Sequence, residues 1–315
     1  MAPASGGDHL IVAVLGAGGT MGKGIARNLA AAGIEVRAWN RSPEKLSDFD
    51  QDRIAHCDDA RAAVQEADVV LTMLSDAEAV AAAMEAAGDA IPRGAIWLQM
   101  STIGSEATER CRRRAEHDGL IFVDAPVLGT KQPAEEGALI ILASGPPEVR
   151  ERLEPLFEAI GKRTMWVGEA GAASRLKVVI NSWIVSVVEG LAETFALAEG
   201  IGVDPQSFLD AIADGPLDLP YLRAKSKAML ERDFAPSFRL ALAAKDADLA
   251  VAAARDAGLD LPVLEAIATR MREGRPGSWR RGPGGDLPHQ LTRRLSRSGP
   301  APAVWTYTRW RATFF

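Results

Sequence analysis

The sequence predicts an α/β fold, with a doubly wound, mostly parallel sheet followed by an all-α C-terminal domain. Short apolar runs alternate with helical stretches from Leu10 to about Gly168, as is typical of βαβ units. A glycine cluster follows the first apolar run. After Gly171 the strand signal stops and only helical patterns remain, as far as Arg272. We therefore predict a Rossmann-type sheet domain at 9–168, an all-α domain at 169–273 and an atypical tail at 274–315.

The predicted strands are the apolar runs of the first domain, and the predicted helices are the stretches with helical periodicity between and after them. The strands are 10–15, 35–40, 68–74, 95–100, 120–127 and 138–144. The helices of the first domain are 21–32, 43–49, 58–67, 76–87 and 105–118. Those of the second are 173–200, 205–213, 222–230, 240–257 and 263–272. The first of these is apolar almost all round in its first half, which predicts burial on several sides.

Length and composition indicate a globular chain. Its 315 residues suffice for two domains, and 47% hydrophobic and 25% charged residues are ordinary values for such proteins. Cys57 and Cys111 match no metal-ligand or disulfide spacing, so we expect reduced thiols and no metal site. No unbroken apolar run approaches the roughly 18 residues that span a bilayer, and residues 1–8 do not resemble a signal peptide. We expect a cytoplasmic enzyme that binds no membrane.

The charge is unevenly distributed. Residues 274–315 contain eight arginines and a single acid, Asp286, so this tail carries +7 and the rest of the chain −13. An acidic body disfavours nucleic-acid binding, which needs a basic footprint. For the tail we prefer a frameshifted end that packs poorly; the alternative is a functional basic tail that binds nucleic acid or an acidic partner.

The glycine cluster lies in V-A-V-L-G-A-G-G-T-M-G-K-G at 12–24, between a predicted strand and a predicted helix. The spacing of Gly16, Gly18 and Gly22 is one residue longer than the usual dinucleotide fingerprint, whereas reading from Ala17 restores the length and loses the first glycine. We expect the loop to bulge and still hold a pyrophosphate at the helix N-terminus; the alternative is a plain glycine-rich turn. The residues assigned to cofactor binding here are Gly16, Ala17, Gly18, Gly19, Thr20, Met21 and Gly22.

The second strand indicates which dinucleotide is bound. It ends in W-N-R-S-P, without the acid that accepts hydrogen bonds from the ribose of NAD. Asn40, Arg41 and Ser42 stand there instead, and a guanidinium can pair with a 2′-phosphate, so we predict NADP(H). The alternative is a solvated surface arginine. Leu74, the last residue of the predicted strand at 68–74, and Ser75 after it complete the predicted cofactor site.

Further motifs carry a resemblance to a known family. They are M-S-T-I-G at 100–104, D-A-P-V-L-G-T-K-Q-P-A-E-E-G-A-L at 124–139, Lys177-x-x-x-Asn181 and A-K-D-A-D-L-A at 244–250. Together with the glycine loop they resemble the β-hydroxyacid dehydrogenases, in order and over about residues 10–272. This family includes 3-hydroxyisobutyrate dehydrogenases and glyoxylate or succinic semialdehyde reductases within the 6-phosphogluconate dehydrogenase-like superfamily. The resemblance implies an NADPH-dependent oxidoreductase that reduces a small carbonyl compound, and a homodimer or higher homo-oligomer.

Lys177 and Asn181 are the predicted catalytic pair. They are four residues apart and so share one helix face. Desolvation in so apolar a helix would lower the pKa of the lysine toward the range useful for proton transfer. Lys177 would then protonate the carbonyl oxygen as hydride reaches carbon, while Asn181 holds the substrate or orients the amine. The alternative is a structural lysine whose amine reaches solvent.

The resemblance assigns further positions. It implies that Ser101 contacts the substrate, that Thr102 lies near the nicotinamide and that Lys245 contacts the cofactor, although Lys245 beside Asp246 could also form a surface ion pair. At Leu128, Gly129 and Thr130 relatives commonly have S-G-G or S-G-S, which grips a substrate carboxylate. Leu128 cannot donate a hydrogen bond, so a larger or less polar carbonyl substrate becomes plausible.

Two other functions remain open at this stage. An imine reductase would share the architecture, but such enzymes usually lack the lysine, so Lys177 argues against this function. A non-catalytic NADP(H)-binding protein is suggested by Leu128 and the tail. We prefer the reductase of a small aldehyde or keto acid.

Overall fold

The computed structural model describes residues 10–49, 52, 54–231 and 239–273. The chain divides into two compact units, and the division falls inside a helix, after Val179. The tail at 274–315 lies outside the described residues. The predictions of a frameshift and of poor packing concern this tail and therefore also fall outside the described part of the chain.

The first unit contains a six-stranded parallel sheet in the order β3-β2-β1-β4-β5-β6. Its strands are β1 Ile11–Leu15, β2 Glu35–Trp39, β3 Ala55–His56, β4 Val69–Thr72, β5 Ile96–Gln99 and β6 Ile121–Asp124. The chain proceeds outward from β1 in both directions, which is the doubly wound topology that the sequence predicts. The two-residue β3 was not predicted.

Helices cover both faces of this sheet. They are α1 Thr20–Ala31, α2 Ala60–Val64, α3 Ala77–Ala87, α4 Ser105–Asp118, α5 Lys131–Glu135 and α6 Arg150–Ile160. Along β1, Val12 and Val14 pack into the core on one face, whereas Ala13 and Leu15 pack into the core on the other. A strand that is buried on both faces reads as an unbroken apolar run, and this explains why the sequence pattern located it well.

A second, three-stranded sheet departs from the prediction. The run at 120–127 was predicted as one strand, but it breaks at Pro126, which has no N–H for the ladder. The chain then forms β7 Val127–Leu128, antiparallel to β8 Leu139–Ala143, and β8 pairs in parallel with β9 Gly161–Trp166. The edge strand β9 carries polar Lys162 and Arg163, so it gives no apolar signal.

The second unit is helical throughout the residues that are described. It contains the later part of α7 Ala172–Gly200, then α8 Pro205–Ile212, α9 Pro220–Glu231, α10 Leu240–Asp256 and α11 Pro262–Glu273. Small buried residues of α10, among them Ala243, Ala247 and Ala250, let neighbouring helices approach closely. The predicted fold class, a doubly wound sheet followed by an all-α region, is confirmed for the described chain.

Among the described helices, α7 is long and apolar enough to cross a bilayer by length and composition alone. Its most apolar window of 18 residues has a mean hydropathy of 1.4, and 44% of that window is buried inside the protein. This average does not contradict the expectation drawn from unbroken apolar runs, because a mean over 18 residues tolerates the polar side chains that interrupt a run. A core helix of a soluble protein meets the same criterion.

Candidate active site

The carboxyl ends of the parallel strands gather the predicted cofactor residues of the first unit. The glycine loop follows β1, Asn40 follows β2, and the loop with Leu74 follows β4. Strands β1 and β4 are neighbours from which the chain proceeds in opposite directions. In doubly wound sheets ligands bind at such a switch point, beyond the carboxyl ends of the strands.

The glycine loop accommodates its additional residue in a tight turn. The Gly19 N–H donates to the Gly16 carbonyl at 3.0 Å, and the Gly16 and Ala17 N–H groups both donate to the Trp39 carbonyl. Helix α1 begins at Thr20, with Gly19 as its N-cap and no side chain capping it. The backbone N–H groups of its first turn are therefore not capped by a side chain, as an anion site at a helix N-terminus requires.

Close approach explains why glycine is needed in this loop. Gly16 has φ +99°, a conformation that favours glycine, and a Cβ there would lie 2.3 Å from the Met73 carbonyl oxygen. A Cβ on Gly22 would lie 2.2 Å from the Gly16 carbonyl oxygen, and one on Gly18 would lie 2.8 Å from Asn40 Cγ. The loop thus fits a dinucleotide-binding turn, with α1 close against β1 and backbone open to a pyrophosphate.

Polar and basic side chains follow β2. The Asn40 side chain donates to the Ser42 carbonyl at 3.0 Å, which fixes the turn. Arg41 is exposed and, among the described residues, forms no ion pair with a carboxylate. Lys45, which sequence reasoning missed, lies beside Gly18: a Cβ on that glycine would come within 2.7 Å of Lys45 Cβ. Only the fold reveals this second cation, because it belongs to the following 3-10 turn, Pro43–Phe49.

Ser101 lies at the end of β5, but its hydroxyl is engaged inside the protein. It is 1% exposed; its Oγ accepts from the Leu74 N–H at 2.8 Å and donates to the Thr72 carbonyl at 3.3 Å. It therefore ties the ends of β4 and β5 together and supports this edge of the sheet; its predicted contact with the substrate stays a prediction. Thr102 is half-buried at the same edge, and Ser75 is exposed with its hydroxyl on Asp76.

A buried polar cluster lies at the end of β6; we call Asp124, Ser144, Ser174 and Thr108 the Asp124 cluster. The Asp124 carboxylate accepts from the Ser174 N–H and hydroxyl, both at 2.8 Å, and from the Ser144 hydroxyl at 3.3 Å. The Thr108 hydroxyl lies 3.0 Å from that of Ser174. Burial raises the pKa of Asp124 to about 6, although the hydrogen bonds and the charge of Arg175 act in the opposite direction.

The segment that departs from the family pattern forms β7 and the turn after it. Leu128 is half-buried, and its backbone pairs with Ile140 of β8. Gly129 is exposed with φ +134°, and Thr130 is the N-cap residue of α5, although its hydroxyl does not cap the helix. An apolar side chain therefore stands at the position of the usual serine, beside a glycine with positive φ and a hydroxyl.

The predicted catalytic residues both lie on α7. Lys177 is buried, with 9% of its surface exposed, one turn after Ser174 of the Asp124 cluster. Asn181 is 5% exposed. Burial to this degree is unusual for a lysine residue.

Within the second unit, Asn181 belongs to a polar group with α10. Its side-chain amide donates to Asp246 Oδ2 at 2.8 Å, and Lys245 Nζ lies 3.0 Å from Asp246 Oδ1. Asp246 is only 6% exposed, so the pair of Lys245 and Asp246 is not the surface ion pair considered above. Asp246 is therefore a further candidate site residue, which the sequence analysis considered only as an ion-pair partner of Lys245. Its position directly after Lys245 was the signal in the sequence that could have identified it.

Two family models match the chain, one after the other. Residues 11–168 match the NAD binding domain of 6-phosphogluconate dehydrogenase. Residues 171–281 match the model described as the NAD-binding domain of NADP-dependent 3-hydroxyisobutyrate dehydrogenase.

Individual relatives agree with these models. Uncharacterized oxidoreductase YfjR of Bacillus subtilis is 33% identical over 268 residues, which cover 84% of this chain and 93% of the relative. Glyoxylate/succinic semialdehyde reductase 1 of Arabidopsis thaliana is 29% identical, over 82% of this chain and 90% of the relative. The solved structure of 3-hydroxyisobutyrate dehydrogenase from Mycobacterium tuberculosis with L-serine has a TM-score of 0.78 at 29% identity, over 84% and 93% of the two chains.

The fold, the glycine loop and these matches define an NAD(P)-dependent oxidoreductase that acts on hydroxy and carbonyl groups. The chain belongs to the β-hydroxyacid dehydrogenase family, of the 3-hydroxyisobutyrate dehydrogenase and glyoxylate/succinic semialdehyde reductase type. The resemblance seen in the sequence is thereby confirmed.

Proposed function

We propose that the chain reduces a small aldehyde or keto acid to the hydroxy compound, with NADPH as reductant and Lys177 as proton donor. The observation that carries this proposal is a buried lysine, Lys177, on the helix that follows a sheet domain with a dinucleotide-binding loop. Relatives named for reduction of glyoxylate and succinic semialdehyde support the substrate class.

The residues of the first unit suit a phosphorylated dinucleotide. The uncapped N-terminus of α1 would hold the pyrophosphate, and Arg41, with Ser42 and Lys45 nearby, would pair with the 2′-phosphate. Bound NADPH supplies a hydride to the carbonyl carbon. Leu74 and Thr102, at the ends of β4 and β5, would pack beside the cofactor.

Lys177 and Asn181 would contact the substrate, the lysine as proton donor and the asparagine as hydrogen-bond partner. As the carbonyl carbon is reduced, negative charge develops on oxygen, and the Lys177 ammonium gives it a proton; in oxidation the neutral amine takes the proton back. Asn181 donates to Asp246, which leaves its carbonyl oxygen as an acceptor for a substrate hydroxyl. Asp246 thereby keeps the amide in one orientation.

The substrate class is tested with a panel of carbonyl compounds that differ in charge and size, together with a cyclic imine. We expect NADPH oxidation with succinic semialdehyde, glyoxylate or an uncharged aldehyde, and none with a cyclic imine. Because the Leu128 side chain has no hydrogen-bond donor, Leu128→Ser should raise kcat/KM for glyoxylate relative to an uncharged aldehyde by about 10-fold, the value of one hydrogen bond to a charged group.

Leu128→Ala is the matched control, since it removes the same bulk without adding a hydroxyl. If Leu128→Ala changes the glyoxylate preference as much as Leu128→Ser, space rather than hydrogen bonding sets the specificity. Turnover of the imine alone would contradict the carbonyl reductase.

The preference for NADPH is tested at Arg41. Arg41→Ala removes a charged hydrogen-bond donor, so the ratio of kcat/KM for NADPH over NADH should fall by about 10- to 100-fold. Steady-state kinetics with both cofactors measure this ratio, and Lys45→Ala should lower it less.

The control is Arg152→Ala, an exposed arginine on α6, which should leave the ratio unchanged. A parent protein that prefers NADH, or an Arg41→Ala variant with the parental ratio, would show that the basic side chains after β2 do not read the 2′-phosphate.

A further inference from the structure

Side chains of the Asp124 cluster bind the first turn of the helix that carries Lys177. Two N–H groups in the first turn of α7 are bound by side chains from distant strands: Ala173 N–H donates to Ser144 Oγ at 3.0 Å, and Ser174 N–H donates to Asp124 Oδ2 at 2.8 Å. Helix N-termini usually receive such bonds from a local cap residue. The residue before α7 is Gly171, which has no side chain with which to cap.

We propose that Asp124 is a positioning residue which, through Ser174, sets the first turn of α7 and hence the place of Lys177. The proposal rests on the function above, in which Lys177 is the proton donor. Ser174 precedes Lys177 by three residues, so the two share one helix face a single turn apart. Since a helix is stiff over one turn, the place of Ser174 determines that of the Lys177 backbone.

Backbone hydrogen bonds at the ends of β6 and β8 fix the position of the Asp124 carboxylate. Asp124 and Ser144 exchange backbone hydrogen bonds, N–H to carbonyl, at 2.9 and 2.8 Å, so the carboxylate is held at the junction of β6 and β8. Asp124 is fully buried, and Ser174 is 3% exposed. Bonds among buried groups with fixed neighbours leave little freedom at the helix start.

Charge favours the same arrangement. A carboxylate at a helix N-terminus meets the positive end of the helix dipole. Among the described residues, the charge of Arg175 on α7 lowers the pKa of Asp124, and Asp124 faces Cys111 on α4, whose own pKa burial raises to about 11. Asp124 is also the first residue of the D-A-P-V-L-G-T segment, so a single residue both begins the segment that contains Leu128 and holds α7.

The first test needs no turnover. In cofactor-free protein, hydrogen exchange followed by mass spectrometry should show Asp124→Ala accelerating exchange at 172–178 by about 5- to 10-fold, as expected for one lost cap, without change in β1. Acetic anhydride should label Lys177 faster relative to exposed Lys162. Asp124→Asn keeps an acceptor for the Ser174 N–H and should restore most of the protection.

The control is Asp59→Ala, which removes the aspartate that caps α2 by accepting from the Ala62 N–H. It should leave both the exchange of α7 and the labelling of Lys177 unchanged. Uniform acceleration that includes β1, or parental protection of α7 in both Asp124 variants and in Ser174→Ala, would overturn the proposal.

The second test is kinetic. Asp124→Ala should lower kcat by about 10- to 100-fold, the cost of misplacing a catalytic group, with KM changed by less than about 3-fold. If Asp124 acts through Lys177, the same substitution should have no further effect in a Lys177→Ala background. An undiminished effect there would overturn the proposal. Full activity of Lys177→Ala itself would instead refute the proposed function, while the exchange and labelling results still decide whether Asp124 positions α7.

Discussion

Replacement of Lys177 by methionine should lower kcat/KM for carbonyl reduction by about 100- to 10,000-fold, the range for loss of a general acid. Methionine keeps the length and bulk of a side chain that is 9% exposed, so the fold should persist. Because the dinucleotide-binding loop is untouched, the dissociation constant for NADPH should stay within about 3-fold of the parent. Stopped-flow NADPH oxidation and fluorescence titration measure the two quantities.

Two controls sharpen this result. Lys162→Met changes an exposed lysine of β9 in the same unit and should keep full activity. In Lys177→Ala, added ethylamine should restore part of kcat, because it returns an ammonium to the vacated space. A Lys177→Met variant that keeps more than about a tenth of the parental rate would remove Lys177 from the proton transfer.

Gly22→Ala should abolish tight NADPH binding and destabilise the first unit. The new Cβ would lie 2.2 Å from the Gly16 carbonyl oxygen and 3.1 Å from Ala17 Cα, and both are backbone atoms that cannot rotate away. Helix α1 must move from β1, so we expect the free energy of unfolding to fall by about 3 kcal/mol or more. Denaturant unfolding and NADPH titration measure the two effects.

Gly190→Ala is the matched control for this substitution. Gly190 lies within α7, and nothing described lies within 4 Å of a Cβ built there. Alanine is the better helix former, so stability should rise by about 0.5 to 1 kcal/mol. Gly22→Ala with the parental unfolding curve and NADPH affinity would show that this contact relaxes without consequence.

Periodicity predicted most of the sheet domain because its strands are buried on both faces and its helices on one. Thus β1, β4 and β5 lie inside the predicted apolar runs, and α4 spans the predicted 105–118. The strands that were missed lack this signal. β3 has two residues, β7 follows a proline, and β9 is a polar edge strand.

The candidate site residues also divide into those that the local sequence indicates and those whose contacts depend on the tertiary structure. Those in contiguous motifs could be read from local order, because the dinucleotide turn, the residues after β2 and the Lys177-x-x-x-Asn181 spacing each lie within one short segment. Ser101 was correctly placed at a strand end, but which partner its hydroxyl binds depends on the neighbouring strand β4. The cofactor preference and the catalytic roles remain predictions for the experiments above.

Local order thus sufficed for the family, the succession of strands and helices, and the candidate proton donor, because each depends on residues within one turn or one strand. The tertiary structure decided which residues from distant segments contact each other. It brought Lys45 to Gly18, Asn181 to Asp246, and Asp124 to Ser174, pairs separated by 27, 65 and 50 residues. No periodicity encodes such pairs, since hydrogen bonding between buried polar groups depends on where separate segments meet in space.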